Sequence, residues 1–390
     1  VEGRPGLDLD QPGLACGLER WAGSPSFRPQ YRVPFWVSLV GAFACFAVMF
    51  KLQMVAMIAA MTIMGLIYLL LQRRQLRLTA GDTWEGVWSA LVRRGLIKLH
   101  RIREDPRNWR PNVLVFAGTT TQRPHLIHMG EWIVGQGGLV TNHLIVEGDL
   151  AGDRDRASSM HHDQDVLLAR DFPTVLFRHM VAEDVYEGIR ALSLASGLAG
   201  MEPNTVLLGW ASRTEEPDRW AKLLRDVVLM DRNLLLLAHD EARSFGLHER
   251  IDVWWGGKEY NWSLMVLLAS LLRSTDQWAK AEVRLLVVVE TPEEVPRAKA
   301  RLDKVLEDAK LRAEAKVLCK SSPEQQYLDV IRAESRDADL TMLGLREPDE
   351  GEGRAFKDRV DAMTEGLGTV LFVRASSRFE GTRVLFEQGD

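Results

Sequence analysis

From Val33 to Leu71 the chain is almost wholly apolar, and Lys51 is its only charged side chain there. Phe35–Phe50 is a run of 16 residues and Met54–Leu71 one of 18, divided by Lys51-Leu52-Gln53. A helix of about 20 apolar residues, with about 17 to 25 tolerated, crosses a hydrocarbon core of about 30 Å. The two runs predict a transmembrane helical hairpin over residues 33–72. A secretory leader has a single apolar core of about 7 to 15 residues and a cleavage site, which this pattern lacks. A hairpin buried in a soluble protein would carry more polar positions.

Beyond Arg77, apolar residues recur at helical spacing from Trp84 to Ile102 (Val87, Leu91, Leu96, Leu99). This predicts an amphipathic linker helix within residues 73–107, either near the membrane surface or packed on a core with a solvated basic face. From Asn112 onward the period changes. Short Val/Leu-rich runs predict strands at Asn112–Ala117, Leu139–Val146, Thr174–Arg178, Thr205–Trp210 and Asn233–Ala238. A second series follows at Ile251–Trp255, Val283–Val289, Ala315–Leu318, Asp339–Leu345 and Thr369–Val373. Helical patterns lie between most of them, at Trp220–Met230, Ser263–Ser274, Pro296–Ala309 and Pro323–Ser335. Unbroken apolar strands alternating with helices indicate an α/β fold with a parallel sheet buried on both faces. Ten strands in two sets suggest two similar halves, residues 108–240 and 241–390, joined near His239–Arg250.

Charge gives the hairpin an orientation. Arg20, Arg28 and Arg32 precede it and Arg73, Arg74 and Arg77 follow it, with no Asp or Glu from Arg20 to Gly81. Basic residues collect on the cytoplasmic side of membrane segments. Both ends are therefore expected inside, with Lys51 in an outer turn, residues 1–32 as a cytoplasmic loop and residues 73–390 cytoplasmic. Residues 1–80 carry 8 Lys/Arg against 4 Asp/Glu, and the remainder 41 against 50. A basic segment beside the membrane suits anionic lipid, and an acidic remainder argues against nucleic acid as a partner. The chain starts at Val1, not Met, and reads as a piece of something longer.

Candidate chemistry is sparse. His161-His162-Asp163 with Asp165 could ligate a metal, but reads better as a solvated polar run. Gly351-Glu352-Gly353 lies between a strand and a helical segment, where backbone N–H groups can cradle phosphate. No Lys or Ser/Thr follows in P-loop order, and Asp349, Glu350 and Glu352 would repel the anion. Gly135, Gly137 and Gly138 miss the dinucleotide fingerprint, because Val140 stands at the third glycine and a strand follows them. Trp254-Trp255-Gly256-Gly257 reads as a packing and turn device. Cys16, Cys45 and Cys319 form no CxxC pair and no zinc spacing. With no GxSxG elbow, no HExxH and no catalytic constellation, the chain is expected not to be an enzyme, with no catalytic or metal residue assigned.

Several segments together resemble the cation–chloride cotransporters, the sodium–potassium–chloride and potassium–chloride symporters of the amino acid–polyamine–organocation superfamily. Ser24-Pro25-Ser26-Phe27-Arg28-Pro29 resembles the loop before their eleventh membrane helix, and Phe35–Leu71 their last two helices. Asn108-Trp109-Arg110-Pro111 resembles the entry to the first cytosolic strand, and Met201-Glu202-Pro203-Asn204-Thr205 a later one. Ile251-Asp252-Val253-Trp254-Trp255 matches the family's IDVWW segment outright. Thr364-Glu365-Gly366-Leu367 with Val370–Arg374 resembles the closing strand, although Ala375 replaces the usual Gly.

The resemblance implies a transporter's C-terminal part, in a compact prokaryotic version. Its cytosolic regulatory domain would have two halves like universal stress proteins, and it would act as a homodimer beside its own upstream transmembrane domain. The family moves chloride with potassium, sodium or both, electroneutrally, through sites on earlier helices, so no ion-binding residue carries over to this chain. ATP, which universal stress proteins often bind, is poorly matched, since Gly344–Gly353 lacks the expected spacing and hydroxyl residue. The alternatives are a membrane-anchored nucleotide-binding sensor and the cytosolic domain of an amino acid permease.

Overall fold

The computed structural model describes residues 35–379, apart from 53, 56, 60, 64–65, 67–82, 102–108, 120, 136, 150–151, 154–169, 199, 212–213, 257–258, 310 and 323. The loop motif at Ser24–Pro29, Asn108, most of the end of the second apolar run and His161, His162, Asp163 and Asp165 lie outside the described residues. The chain divides into two compact units, Val1–Arg103 and Glu104–Asp390.

In the first unit, α1 is Phe35–Leu52, 18 residues with Lys51 in its last turn, where a cation suits the helix dipole. The helix thus runs through Lys51 and Leu52, which the sequence reading placed in the break. Helical residues resume at Met54, so no turn is seen among the described residues. At 1.5 Å per residue α1 reaches about 27 Å, short of a core of about 30 Å. Among the described residues, no helix is long and apolar enough to cross a membrane. Helix α2, Thr83–Arg101, closes the unit and ends on Lys98, His100 and Arg101.

The second unit is mixed α/β, built on one sheet of ten strands. These are β1 (Asn112–Val115), β2 (Leu139–Glu147), β3 (Val175–Ala182), β4 (Thr205–Gly209), β5 (Asn233–Ala238), β6 (Arg250–Trp254), β7 (Glu282–Val289), β8 (Glu314–Cys319), β9 (Leu340–Gly344) and β10 (Thr369–Arg374). Their order is β3-β2-β1-β4-β5-β10-β9-β6-β7-β8. Every pairing is parallel except β5 with β10, where Leu236 faces Phe372. Each half of the sheet repeats one order, its third, second, first, fourth and fifth strands from the edge inward, and the halves meet at the antiparallel pair. Each half is parallel, as the sequence pattern predicts, and the reversal falls only at the joint between them. An apolar run has no direction along a sheet, so periodicity alone does not foretell it.

Crossovers are made by α3 (Pro124–Val134), α4 (Val185–Ala195), α5 (Pro217–Leu229), α6 (Glu259–Arg273), α7 (Val295–Ala309), α8 (Tyr327–Glu334) and α9 (Gly353–Thr364). Helices α3 and α4 lie outside the helical patterns that the sequence predicts. Helix α4 has a local start signal, since Asp184 accepts hydrogen bonds from the backbone N–H of Tyr186 and Glu187. Helix α8 begins at Tyr327, later than Pro323, because the chain first turns at Ser321 and Ser322.

Strand β5 shows why the runs are unbroken. Leu235 and Leu237 join a cluster with Leu126 and Ile133 of α3, Leu268 of α6 and Leu302 of α7. Leu234 and Leu236 join Trp220 and Leu224 of α5, Phe356 of α9 and Ile189 of α4 on the other face. Each fully buried Leu contributes about 1.5–3 kcal/mol relative to exposure. Contacts α3–α6 and α5–α9 tie the two halves across both faces.

Candidate functional site

Two of the family-like segments meet at the N-terminal ends of the strands. The Asn204 amide donates to the carbonyl of Arg110 at 2.7 Å and accepts the N–H of Asn112 at 3.1 Å. Asn112 in turn accepts the N–H of Leu139 at 3.2 Å. The glycine turn beside them is a packing device. Arg110 donates to the carbonyl of Gly137 at 3.3 Å, and a Cβ on Gly138 would lie 1.8 Å from the carbonyl oxygen of Pro111. These side chains order the N-terminal ends of β1, β2 and β4.

The IDVWW segment forms β6, and its polar members enter a buried network. Asp252 is fully buried and accepts Nε and one terminal nitrogen of Arg284 at 2.8 and 2.6 Å. Ser335 donates to the same carboxylate at 2.6 Å, and the Trp254 indole donates to Ser335 at 2.9 Å. Glu334 completes the set, with Arg284 at 2.5 Å and Lys316 at 2.6 Å. The hydrogen bonds it donates to Asp252 hold the Arg284 guanidinium well above its ordinary pKa. Burial alone would raise Glu334, but Lys316 and Arg284 outweigh it and hold the carboxyl below its usual value. The bidentate pair with Arg284 and the Ser335 hydroxyl give the Asp252 carboxylate three hydrogen bonds, which hold β6, β7 and the end of α8 together.

Above the C-terminal ends of β6, β7 and β9 lies a cavity of about 550 Å³, lined by Trp254, Trp255, Trp262, Met265, Tyr327 and Leu343 among others. A second, of about 780 Å³, adjoins it and shares Asn261, Leu345 and Arg346. Its walls carry Lys222, Arg225, Arg346 and Arg374 beside Asp226, Glu347, Asp349 and Glu350. Both sizes suit a small ligand, and the place outside the strand ends, where β6 and β9 run to opposite sides, is where open α/β sheets bind ligands. Asn261 forms the shared wall, accepting the N–H of Ala375 at 3.0 Å. Arg301 stacks 4.4 Å over the Trp255 ring, and the buried Trp255 indole N–H has no hydrogen-bond partner among the described residues. Both tryptophans line the cavity, but they differ at the indole N–H: that of Trp254 is taken by Ser335 in the network, and that of Trp255 is not taken among the described residues. Sequence spacing does not foretell that difference.

The glycine turn does not open into a phosphate cradle. Gly351 has φ +76° and makes the turn, but the N–H of Gly353 donates to Asp218 at 3.0 Å. A Cβ on Gly353 would meet the carbonyl oxygen of Pro217 at 2.5 Å. A carboxylate from α5 thus already occupies the positive end of α9. Among the described residues no group of three or more His, Cys, Asp or Glu is placed to hold a metal.

Four imidazoles gather where the first half meets the segment joining the halves. His125 stacks on His239 at 4.1 Å, and His248 packs edge-on to Trp278 at 4.6 Å, with His128 stacked beside Trp132. Burial, then the neighbouring His239 and Arg123, lower the His125 pKa to about 4. Burial likewise lowers His128, His239 and His248. On β2, burial lowers His143 to about 4. None of these residues stood out in the sequence, because the pairing arises only from the fold.

No family model matches the chain. Among solved structures, the cytoplasmic domain of a prokaryotic cation chloride cotransporter aligns over 71% of this chain and 99% of its own, with TM-score 0.51 and 17% identity. The two share a fold. A universal stress protein from Archaeoglobus fulgidus aligns with TM-score 0.43 and 12% identity, over 68% of this chain and 98% of its own. A putative universal stress protein from Pseudomonas aeruginosa gives 0.45 and 14%, over 72% and 98%.

Proposed function

We propose that the chain is the C-terminal part of a cation–chloride symporter. In this reading residues 33–72 lie in the membrane, residues 73–390 are cytoplasmic, and the α/β unit is a non-catalytic module for regulation and homodimerisation. The observation that carries it is the agreement of motif and fold. The IDVWW segment supplies the buried Asp252–Arg284 pair, within a unit that aligns with nearly the whole cytoplasmic domain of such a transporter. The exposed apolar side chains of α1, such as Phe43, Val40 and Phe50, support a lipid or helical surrounding for it. Transport itself would belong to helices outside this segment.

The test is flux of rubidium and chloride by the protein joined to its upstream membrane helices, with and without sodium. Coupled, electroneutral uptake supports the reading; uptake of an amino acid without chloride dependence points to a permease, and no flux of either kind overturns transport. Strictly monomeric behaviour of the chain at high concentration in analytical ultracentrifugation would remove the dimer role.

A second reading, a nucleotide sensor, is favoured by one observation: an aromatic cavity holding an unpartnered Trp255 N–H adjoins a cavity with four cationic side chains. Asp218 at the start of α9 works against it. Titration calorimetry with ATP decides, and an absence of heat at millimolar nucleotide ends this reading.

A further inference from the structure

The surface of α2 has two parts. Trp88, Leu91, Val92, Gly95 and Leu99 fall at helical spacing i, i+3, i+4, i+7 and i+11, which places them on one stripe. In a soluble helix such a stripe is buried. Here Trp88 is 60% exposed, Leu91 51%, Val92 57% and Leu99 45%. Arg94, Lys98 and Arg101 run along one edge of the stripe at i, i+4 and i+7, and all three are exposed. Glu85, in the first turn, is the only acidic residue of the helix. An apolar stripe containing Trp and Leu beside a basic face fits a helix lying in the boundary between headgroups and acyl chains.

We infer that α2 lies in the plane of an anionic lipid surface, with Trp88, Leu91 and Leu99 in the acyl boundary and Lys98 and Arg101 at the headgroup phosphates. This rests on the membrane reading of residues 33–72. Two observations choose lipid over a second copy of the chain. Residues 73–101 carry Arg73, Arg74, Arg77, Arg93, Arg94, Lys98 and Arg101 against Asp82 and Glu85, so a second copy would bring like charge to like charge, whereas an anionic surface complements it. The apolar run also ends at Leu71, and the connection to Thr83 spans at most about 40 Å fully extended, which tethers the helix within reach of the bilayer.

The test uses the 390-residue chain in lipid nanodiscs of phosphatidylcholine, with and without phosphatidylserine. The readout is backbone hydrogen exchange over Thr83–Arg101, with α3 as the internal reference. Exchange in α2 should slow at least about tenfold when phosphatidylserine is present, and salt at about 1 M should reverse it, since screening then acts within about 3 Å. The variant Lys98→Gln/Arg101→Gln, which keeps good helix formers, should lose the effect, as should Leu91→Glu. Equal exchange in both lipids overturns the inference. So does slowing that tracks protein concentration in lipid-free detergent, the sign of a second copy on this face. Flotation with vesicles separates the two readings: a chain that does not float fails the membrane reading, and with it this inference, whereas a floating chain with unprotected α2 fails this inference alone.

Discussion

Gly209 and Gly344 each end the fourth strand of a half-sheet, and counting the register back from them superimposes two quite different centres. Leu114 of β1 pairs with Val206 and Thr141 in the first half. At the same place in the second half, Asp252 of β6 pairs with Thr341 and Arg284. One half fills this position with a methyl-rich side chain and the other with a buried ion pair, under one strand order. The strand ends differ as well. After Gly209, the Trp210 indole closes onto Asp361 at 2.7 Å, while after Gly344 two cavities open. The order of strands therefore does not require the charge pair. The buried ion pair has been placed in one half, while the other half buries uncharged polar groups such as Asn142, Thr205 and Asn233 and holds most of the imidazoles.

The sharpest way to break this contrast is Arg284→Met. It leaves the Asp252 carboxylate buried without its guanidinium and should cost about 3–5 kcal/mol in denaturant unfolding. The double variant Asp252→Leu/Arg284→Thr, which copies the pair Leu114 and Thr141, should recover most of that loss. A double variant as unstable as the single one would show that the second half depends on its charges.

Acid should act on the halves in turn. No histidine occurs after His248, so imidazole titration falls on the first half and the joining segment. The histidines at 125, 128, 143, 239 and 248 have lowered pKa values in the fold. The unfolded chain then binds protons first, and stability is lost as pH falls from about 6.5 toward about 4. For the buried His143, the shift from 6.5 to about 4 corresponds to about 3 kcal/mol once fully expressed. Glu334, with its pKa lowered, contributes stability present above its unfolded value of about 4.5, which is lost only as pH falls through the lower folded value. Hydrogen exchange at about pH 5 should loosen β1–β5 while β6–β10 stay protected, and uniform loosening would contradict the contrast.

The seam between α5 and α9 offers a smaller effect. Gly353→Ala pushes a methyl group toward Pro217 and should cost about 1–3 kcal/mol, read as a lower thermal midpoint. Smallest is Arg301→Gln, which removes the cation over Trp255 and should cost about 0.5–1 kcal/mol. If Trp255 instead binds a planar ligand, this change should alter ligand affinity more than stability.

All ten strands were legible as short apolar runs, within one to a few residues; burial on both faces writes itself into the composition of the inner strands, while the edge strands β3 and β8 stay partly exposed. Strand β5, with Leu234 to Leu237 unbroken, is the plainest case. Helices α5, α6 and α7 were legible by period. The site was far less so. Asp252 and Arg284 stand 32 residues apart, and each alone reads as an ordinary strand residue. Asp218 reaches Gly353 across 135 positions, which no local spacing announces.

What the sequence determined by itself was therefore local: which segments are apolar, with which period, and where basic residues flank them. The apolar block at residues 33–71 and the alternation of strands and helices follow from side-chain hydrophobicity and backbone period, both readable within a dozen residues. Tertiary structure decided the antiparallel joint between β5 and β10, the pairing of Asp252 with Arg284, the stacking of His125 on His239 and the separate fates of Trp254 and Trp255. Each of these depends on which distant segment arrives alongside. That choice is made by the packing of two half-sheets into one, not by the residues on either side of the position.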